Sequence, residues 1–137
     1  MMGGYGLNNF DIVTNKPTYT NFNTSTSWLS LAYGAKVQVG IYAGFSQNLG
    51  TNNDLLPVAL TGKLTVYGCG FYDASQTLLQ QLYRIAPHIT YNLAHFRLGF
   101  EYELTNAQYG DIQTNGKVAN PYQVQNHRAL ATISYIF

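Results

Sequence analysis

The sequence predicts an all-β protein: an antiparallel transmembrane β-barrel, or the C-terminal strands of a larger one. Apolar and polar residues alternate with a period of two along several segments. Charged residues make up 9% of the chain, against roughly 25% in a typical soluble domain, and aromatic residues make up 15%. No apolar run approaches the ~18 residues that a spanning helix needs. A lipid face and a lumen face that alternate along each strand produce this composition.

The clearest alternation lies in two neighbouring segments, 83–93 and 95–106, which are predicted to form a hairpin. The apolar residues of the later segment all occupy even positions: Phe96, Leu98, Phe100, Tyr102 and Leu104. Pairing Leu93 with Phe96 brings the apolar faces of both strands to the same side, because side chains alternate strictly along a strand. The same register places His88 opposite Glu101 and Asn92 opposite Arg97.

Three further strands are predicted at 24–33, 35–47 and 126–137. Gly34 is available for a positive φ in a tight turn between the first two of them. Residues 3–7 are a candidate sixth strand, and residues 10–22 are predicted to be a loop. Long outer loops are predicted at 48–82 and 110–125, whereas the tight turns lie at the opposite ends, an asymmetry typical of outer-membrane barrels. The spacing of Leu78, Leu79 and Leu82 suggests a short helix over 73–82.

Five or six strands do not close a bacterial barrel, which needs an even number and at least about eight. Two more strands at 57–61 and 64–71 would complete an eight-stranded barrel. However, residues 57–61 fall short of the ~9–11 residues of a spanning strand, so the sequence favours part of a larger barrel. Residues 1–6 contain neither a basic nor an apolar export segment, so we expect that a signal was removed or that the chain is a piece of a longer one.

Function is expected on the polar face of the strands, where charged side chains would line a lumen. The predicted lumen-lining residues are Lys36, Arg84, His88, Arg97, Glu101, Glu103 and Arg128. Their mixed signs argue against a strong ion filter. The alternative interpretation is that Arg97, Glu101 and His88 form only a solvated or mutually paired inner ladder. Two groups of aromatic residues are predicted at the membrane interfaces: Tyr33, Phe96, Tyr135 and Phe137 at the turn ends, and Phe45, Tyr83, Tyr102 and Tyr109 at the loop ends.

Two alternatives remain open at this point. One is a soluble ligand-binding β-barrel, in which the apolar faces would point inward. The other is a small outer-membrane lipid-modifying enzyme, in which His88, Thr90 and Glu101 would act as base, nucleophile and orienting carboxylate. No metal or cofactor is expected, because His95 and His127 have no partner at metal-ligand spacing and Cys69 is the single cysteine. The net charge of +1 gives no indication of nucleic-acid binding.

The last residues of the chain resemble the signal read by the barrel assembly machinery, with Ile133, Tyr135 and Phe137 at alternate positions. Segments 44–50, 83–89, 99–104 and 107–110 resemble the C-terminal region of porin-like outer-membrane proteins of the Bacteroidota, and the resemblance covers most of the chain from Ser27 onward. It implies a channel in the outer membrane of a Gram-negative bacterium for passive diffusion of small hydrophilic solutes or ions. It also implies contact with outer-membrane lipid and the assembly machinery, and allows a homotrimer.

Overall fold

A computed structural model describes residues 3–59, 61–68 and 77–135. Every regular element in this part of the chain is a β-strand. The seven strands are β1 (Tyr5–Asp11), β2 (Lys16–Gly34), β3 (Val37–Thr51), β4 (Val66–Tyr67), β5 (Thr77–Asn92), β6 (Phe96–Ile112) and β7 (Val118–Tyr135). The predicted fold class is therefore confirmed: the chain is an all-β antiparallel sheet, as in part of a β-barrel. The described residues contain no helix of the length and apolarity that crossing a membrane requires.

The strands form one sheet in the order β4-β1-β2-β3-β5-β6-β7. Neighbours in the sheet are also consecutive along the chain, with two exceptions: β4 pairs with β1, and β3 lies next to β5. Tyr5 pairs with Asn21 of β2 on one side and with Tyr67 of β4 on the other, and both pairings are antiparallel. A bulge between Leu7 and Asn9 shifts the β1–β2 register by one residue.

Both predicted tight turns are present. Gly34 ends β2 with a φ of 113°, and a Cβ atom there would collide with the carbonyl oxygen of Val37, so the turn requires glycine. At the other turn, the Leu93 amide donates to the Phe96 carbonyl at 2.7 Å, which confirms the predicted hairpin register. The predicted pairing of Asn92 with Arg97 is also confirmed, because Arg97 Nε donates to Asn92 Oδ1 at 2.9 Å.

The prediction of a loop over residues 10–22 was wrong, because β1 and β2 form a hairpin there. The Asp11 carboxylate organises the turn by accepting hydrogen bonds from the Val13 amide at 2.9 Å and from the Thr14 hydroxyl at 2.6 Å. Asn15 then adopts a left-handed conformation with a φ of 54°, which asparagine tolerates better than most residues. These turn-forming residue types are also typical of irregular loops, so composition alone did not distinguish the two.

The strands also extend further than predicted into the segments 48–82 and 110–125. β3 continues to Thr51 and β5 begins at Thr77, while β6 and β7 are joined by the short turn 113–117, in which Gly116 has a φ of 70°. The suggested helix over 73–82 was wrong for residues 77–82, which belong to β5; residues 73–76 lie outside the described part of the chain. Backbone hydrogen bonds between strands form without any alternation of apolar residues. The polar ends of these strands therefore could not be predicted from a period of two.

The alternative of a complete eight-stranded barrel required two spanning strands at 57–61 and 64–71. In their described parts these segments contain an isolated bridge between Pro57 and Leu64 and the two-residue strand β4. Residues 60 and 69–71 lie outside the described part. The Leu7 amide donates to the Thr65 carbonyl at 3.0 Å and the Leu56 amide to the Leu7 carbonyl at 2.7 Å, so this segment packs against β1. The described residues do not supply the two further spanning strands.

The chain divides into two compact units. As far as its residues are described, the first unit comprises Met1–Thr26, Ser46–Leu82 and Ala107–Val124, and the second comprises Ser27–Phe45, Tyr83–Asn106 and Gln125–Phe137. Strands β2, β3, β5, β6 and β7 each contribute residues to both units. The first unit has a buried apolar core of Phe22, Leu55, Leu64, Val66, Leu78 and Ile112. The predicted lumen-lining residues all belong to the second unit.

Candidate functional site on the polar face of the second unit

In strands β3, β5 and β6 of the second unit the apolar face is the more exposed one, whereas both faces of β2 and β7 are exposed there. Along β5 the side chains of Ile85 and Ile89 are 41% and 45% exposed, whereas Ala86 between them is 2% exposed. The same alternation holds in β3 and β6, where Val39, Ile41, Phe100 and Tyr102 are exposed and their polar neighbours are half-buried. A soluble sheet has the opposite distribution, with its apolar face buried. Contiguous apolar surface of this kind marks contact with a membrane or another protein.

The polar face carries a cluster of four charged side chains centred on Glu103. Its carboxylate accepts hydrogen bonds from the guanidinium groups of both Arg84 and Arg128, the second at 2.8 Å. Arg128 also reaches Glu101 at 3.3 Å. The Glu103 side chain is 13% exposed, whereas the side chains of Arg84 and Arg128 are 40% and 52% exposed. Glu103 is thus the least exposed member of the cluster, and its arginine partners extend toward solvent.

Two uncharged neighbours extend this cluster. The guanidinium carbon of Arg84 lies 5.8 Å from the ring centroid of Tyr42, within the range of a cation–π contact. The Thr105 hydroxyl donates to Glu103 Oε1 at 3.2 Å. Because Tyr42 lies in β3, Arg84 in β5, Glu103 in β6 and Arg128 in β7, the contacts connect four adjacent strands. The sequence suggested an inner ladder of Arg97, Glu101 and His88 as one interpretation, and of these three residues the cluster contains Glu101.

The remaining predicted lumen-lining residues lie apart from this cluster. Arg97 is tied to Asn92 next to the β5–β6 turn. The Lys36 ammonium lies 5.8 Å from the ring centroid of Tyr91, whose position along β5 belongs to the exposed apolar face. His88 is half-buried and its imidazole covers Gly40, where any side chain would displace it. Lys36 therefore lies at a turn beside an apolar-face ring, and Arg97 and His88 are held by local contacts.

The enzyme alternative requires hydrogen bonds that join His88, Thr90 and Glu101. Within the described part of the chain, no side-chain hydrogen bond joins His88 to Thr90 or to Glu101. No group of three or more His, Cys, Asp or Glu residues among residues 3–59, 61–68 and 77–135 is arranged to hold a metal ion. Cys69 lies outside the described residues.

The predicted assembly signal is described as far as Tyr135. Its ring packs against Phe96 with centroids 5.0 Å apart, and the Ile133 side chain is 76% exposed. Phe137 lies outside the described residues. The predicted interface aromatics are only partly grouped: Tyr102 bonds to His127 at 2.6 Å, whereas Tyr109 instead packs beside Tyr122 in the first unit, with ring centroids 6.1 Å apart.

Sequence reasoning missed an aromatic group in the first unit formed by Tyr5, Tyr19 and Tyr67, whose rings contact one another. The three residues come from three strands, and at Tyr19 the sequence predicted a loop instead of a strand. The sequence alone does not identify this group, because the group depends on the pairing of Tyr5 with both neighbouring strands.

No protein-family model, curated protein or solved structure matches this chain. The resemblance to Bacteroidota porin-like proteins therefore stays a prediction from the sequence. Any function must be inferred from the faces and contacts described above.

Proposed function

We propose that this chain is part of an outer-membrane β-barrel of the porin type that lets small hydrophilic solutes or ions diffuse passively. In this proposal the polar face of the second unit lines the lumen and the apolar face contacts outer-membrane lipid. The observation that carries it is that the apolar face of β3, β5 and β6 in the second unit is exposed while their polar face is the more protected one. Lipid is the solvent in which such a face is stable.

The charged cluster of the polar face supports a weakly selective pore as part of this proposal. Arg84 and Arg128 are balanced by Glu101 and Glu103 within one cluster, so its formal charges cancel. A solute in the lumen would meet dipoles and exposed guanidinium edges instead of a ring of like charge, and strong ion filters are built from such rings. This supports passive diffusion with a modest preference, not a dedicated ion filter.

Unpaired strand edges support membership of a larger barrel. Within the described residues β1 pairs with β2 only at positions 16–21, so the outer edge of residues 22–34 has little pairing, and β7 is the last strand of the order. Unsatisfied backbone groups in lipid cost several kcal/mol each, so further strands must pair with these edges in a membrane. We propose that the barrel assembly machinery reads Ile133, Tyr135 and Phe137 and that the complete barrel forms a homotrimer.

Neither alternative has a specific observation in its favour. A soluble ligand-binding barrel would bury the apolar face that is exposed here. A lipid-modifying enzyme would need an activated nucleophile, and His88 forms no hydrogen bond with Thr90. The proposal therefore assigns no catalytic residue and no cofactor.

The proposal is tested by refolding the complete barrel that contains these strands into phospholipid vesicles and recording conductance across planar bilayers. We expect membrane insertion, discrete openings and a band on a gel that shifts on heating. Glu103→Lys should increase the preference for anions, while Lys63→Gln, outside the polar face of the second unit, should leave selectivity unchanged. A protein that stays monodisperse in detergent-free buffer and never enters vesicles would contradict the proposal and favour a soluble barrel.

A further inference from the structure

The second unit carries more positive than negative side chains, and the excess lies where its β2–β3 and β5–β6 turns meet. Its segments contain four Lys and Arg residues against two Asp and Glu residues. Both acidic side chains belong to the charged cluster centred on Glu103, where they are bound by two of the arginines. The remaining cations are Lys36, in the β2–β3 turn, and Arg97, at the start of β6. Among the described residues neither of these two forms an ion pair with an acidic side chain.

Asn92 holds the two cations at neighbouring turns. Its backbone amide donates to the Lys36 carbonyl at 2.8 Å, and its Nδ2 donates to the Ala35 carbonyl at 2.7 Å. Its Oδ1 accepts from Arg97 Nε at 2.9 Å. One side chain therefore fastens the two turns together, with an exposed cation in each. Two exposed cations without an acidic partner favour an anion beside them, because opposite charges attract most strongly at short distance.

The Lys36 ammonium lies at the end of the exposed apolar face. It is 5.8 Å from the ring centroid of Tyr91, within the range of a cation–π contact. Tyr91, Ile89 and Leu93 follow one another on that face of β5, and all three are exposed. Lysine and tyrosine side chains at the end of a lipid-facing surface lie at the level of the headgroups, with their apolar parts toward the hydrocarbon. An anion bound here would therefore have apolar surface directly beside it.

We propose that Lys36 and Arg97 form a binding site for the phosphate group of an anionic membrane phospholipid. The bond to Asn92 uses Arg97 Nε, which leaves the Nη groups for phosphate oxygens, and the Lys36 ammonium supplies a compact second charge. The acyl chains would lie against Tyr91 and Leu93, a contact that free phosphate does not make. This inference rests on the proposed function, because it requires the apolar face to contact lipid.

The test is native mass spectrometry of the complete barrel that contains these strands, in a non-ionic detergent. The probes are phosphatidylglycerol, phosphatidylcholine and inorganic phosphate. We expect phosphatidylglycerol to bind more tightly than phosphatidylcholine, and inorganic phosphate at the same concentration to displace neither lipid. Lys36→Gln and Arg97→Gln should each weaken phosphatidylglycerol binding roughly fivefold, the factor that one Lys or Arg contributes at an anionic membrane surface.

Lys16→Gln provides the matched control. It removes the same charge from another exposed lysine beside a turn, but Lys16 is paired with Asp11 across the β1–β2 ladder. We expect this variant to bind phosphatidylglycerol as the unmodified protein does. Arg97→Gln also removes the bond to Asn92, so should that variant fail to fold, Lys36→Gln carries the test alone.

Equal weakening by Lys16→Gln and Lys36→Gln would overturn the inference, because the lipid would then be held by net charge instead of by a site. Competition by inorganic phosphate at the same concentration would overturn it too, since the site would then take a free anion. A barrel that conducts in planar bilayers but binds both lipids equally would overturn this inference alone. A protein that never enters vesicles would contradict the proposed function as well.

Discussion

Glu103 is the residue of the polar face whose replacement has the most informative consequence. Its carboxylate is the common acceptor for Arg84 and Arg128. Glu103→Gln keeps the size of the side chain but removes the charge, so both guanidinium groups lose their shared counter-ion. We expect the free energy of unfolding to fall.

The magnitude follows from how exposed each group is. A hydrogen bond to a charged group contributes about 1.5–3 kcal/mol when it is well protected. Two such bonds are lost. The arginine side chains are 40% and 52% exposed, however, so water can hydrate them again, and each lost bond costs closer to the small energy of an exposed ion pair. We therefore expect a total of about 2 kcal/mol for Glu103→Gln. Glu101→Gln, which loses one contact at 3.3 Å from a carboxylate that is 31% exposed, should cost below about 1 kcal/mol.

Urea unfolding of vesicle-embedded protein measures both variants, with the fluorescence of Trp28, the single tryptophan, as the signal. Each variant loses one carboxylate, so the comparison of Glu103→Gln with Glu101→Gln separates the loss of a charge from the loss of the central acceptor. Equal destabilisation by the two variants would refute the reasoning, because it would mean that the cluster is a solvated set of independent charges with no centre at Glu103.

Three further predictions concern other parts of the chain. Gly99→Ala should destabilise the fold by about 1–3 kcal/mol, because its Cβ would lie 2.6 Å from Thr132 Oγ1, and Thr132→Ala in the same chain should restore stability in the urea assay. Leu55→Ala should cost about 2–5 kcal/mol, since Leu55 is 2% exposed in the core of the first unit; limited proteolysis should then cut residues 52–59 faster. Hydrogen bonds from the Thr14 side chain and the following amides lower the pKa of Asp11 below its usual 3.8, so Asp11→Ala should speed hydrogen exchange in the β1–β2 turn at neutral pH. The carboxylate stabilises the turn above its unfolded pKa, so this difference should disappear as pH falls through the lowered pKa.

The strands of the second unit were predictable because their apolar residues repeat every second position. In β6 the run from Phe96 to Leu104 fixes one face without reference to any other strand. Pairing with β5 then follows from matching the two apolar faces, and the observed bond between Leu93 and Phe96 has that register. Local alternation and short-range pairing agree here, so these strands can be predicted from a single sequence.

The ends of the strands could not be predicted in the same way. Residues 16–23 and 118–127 are rich in Thr, Asn, Gln and Tyr, and both of their faces are polar or mixed, so no period distinguishes them from loops. Their strand geometry depends on backbone pairing with residues far along the chain. The carboxylate-centred turn at Asp11 is visible only once the hairpin has formed.

The candidate site was predicted as a face but not as a set of contacts. Alternation placed Arg84 and Glu103 on the same side, whereas their pairing depends on a diagonal reach between strands that sequence spacing does not specify. Lys36 illustrates the limit of alternation at a turn, since its ammonium lies beside the Tyr91 ring instead of the charged cluster. The aromatic cluster of the first unit required the pairing of β1 with β4, a strand of two residues.

The central claim is that the apolar face of the second unit contacts lipid and the polar face contacts water. Nitroxide labels at single cysteines on adjacent residues test it directly, in a Cys69→Ser background and with the protein in phospholipid vesicles. Labels at Ile89 and Phe100 should collide more often with dissolved oxygen, which concentrates in lipid, than with a water-soluble nickel chelate. Labels at Thr90 and Glu101 should show the reverse. Nickel access at Ile89 and Phe100, with protection at Thr90 and Glu101, would contradict the proposed orientation.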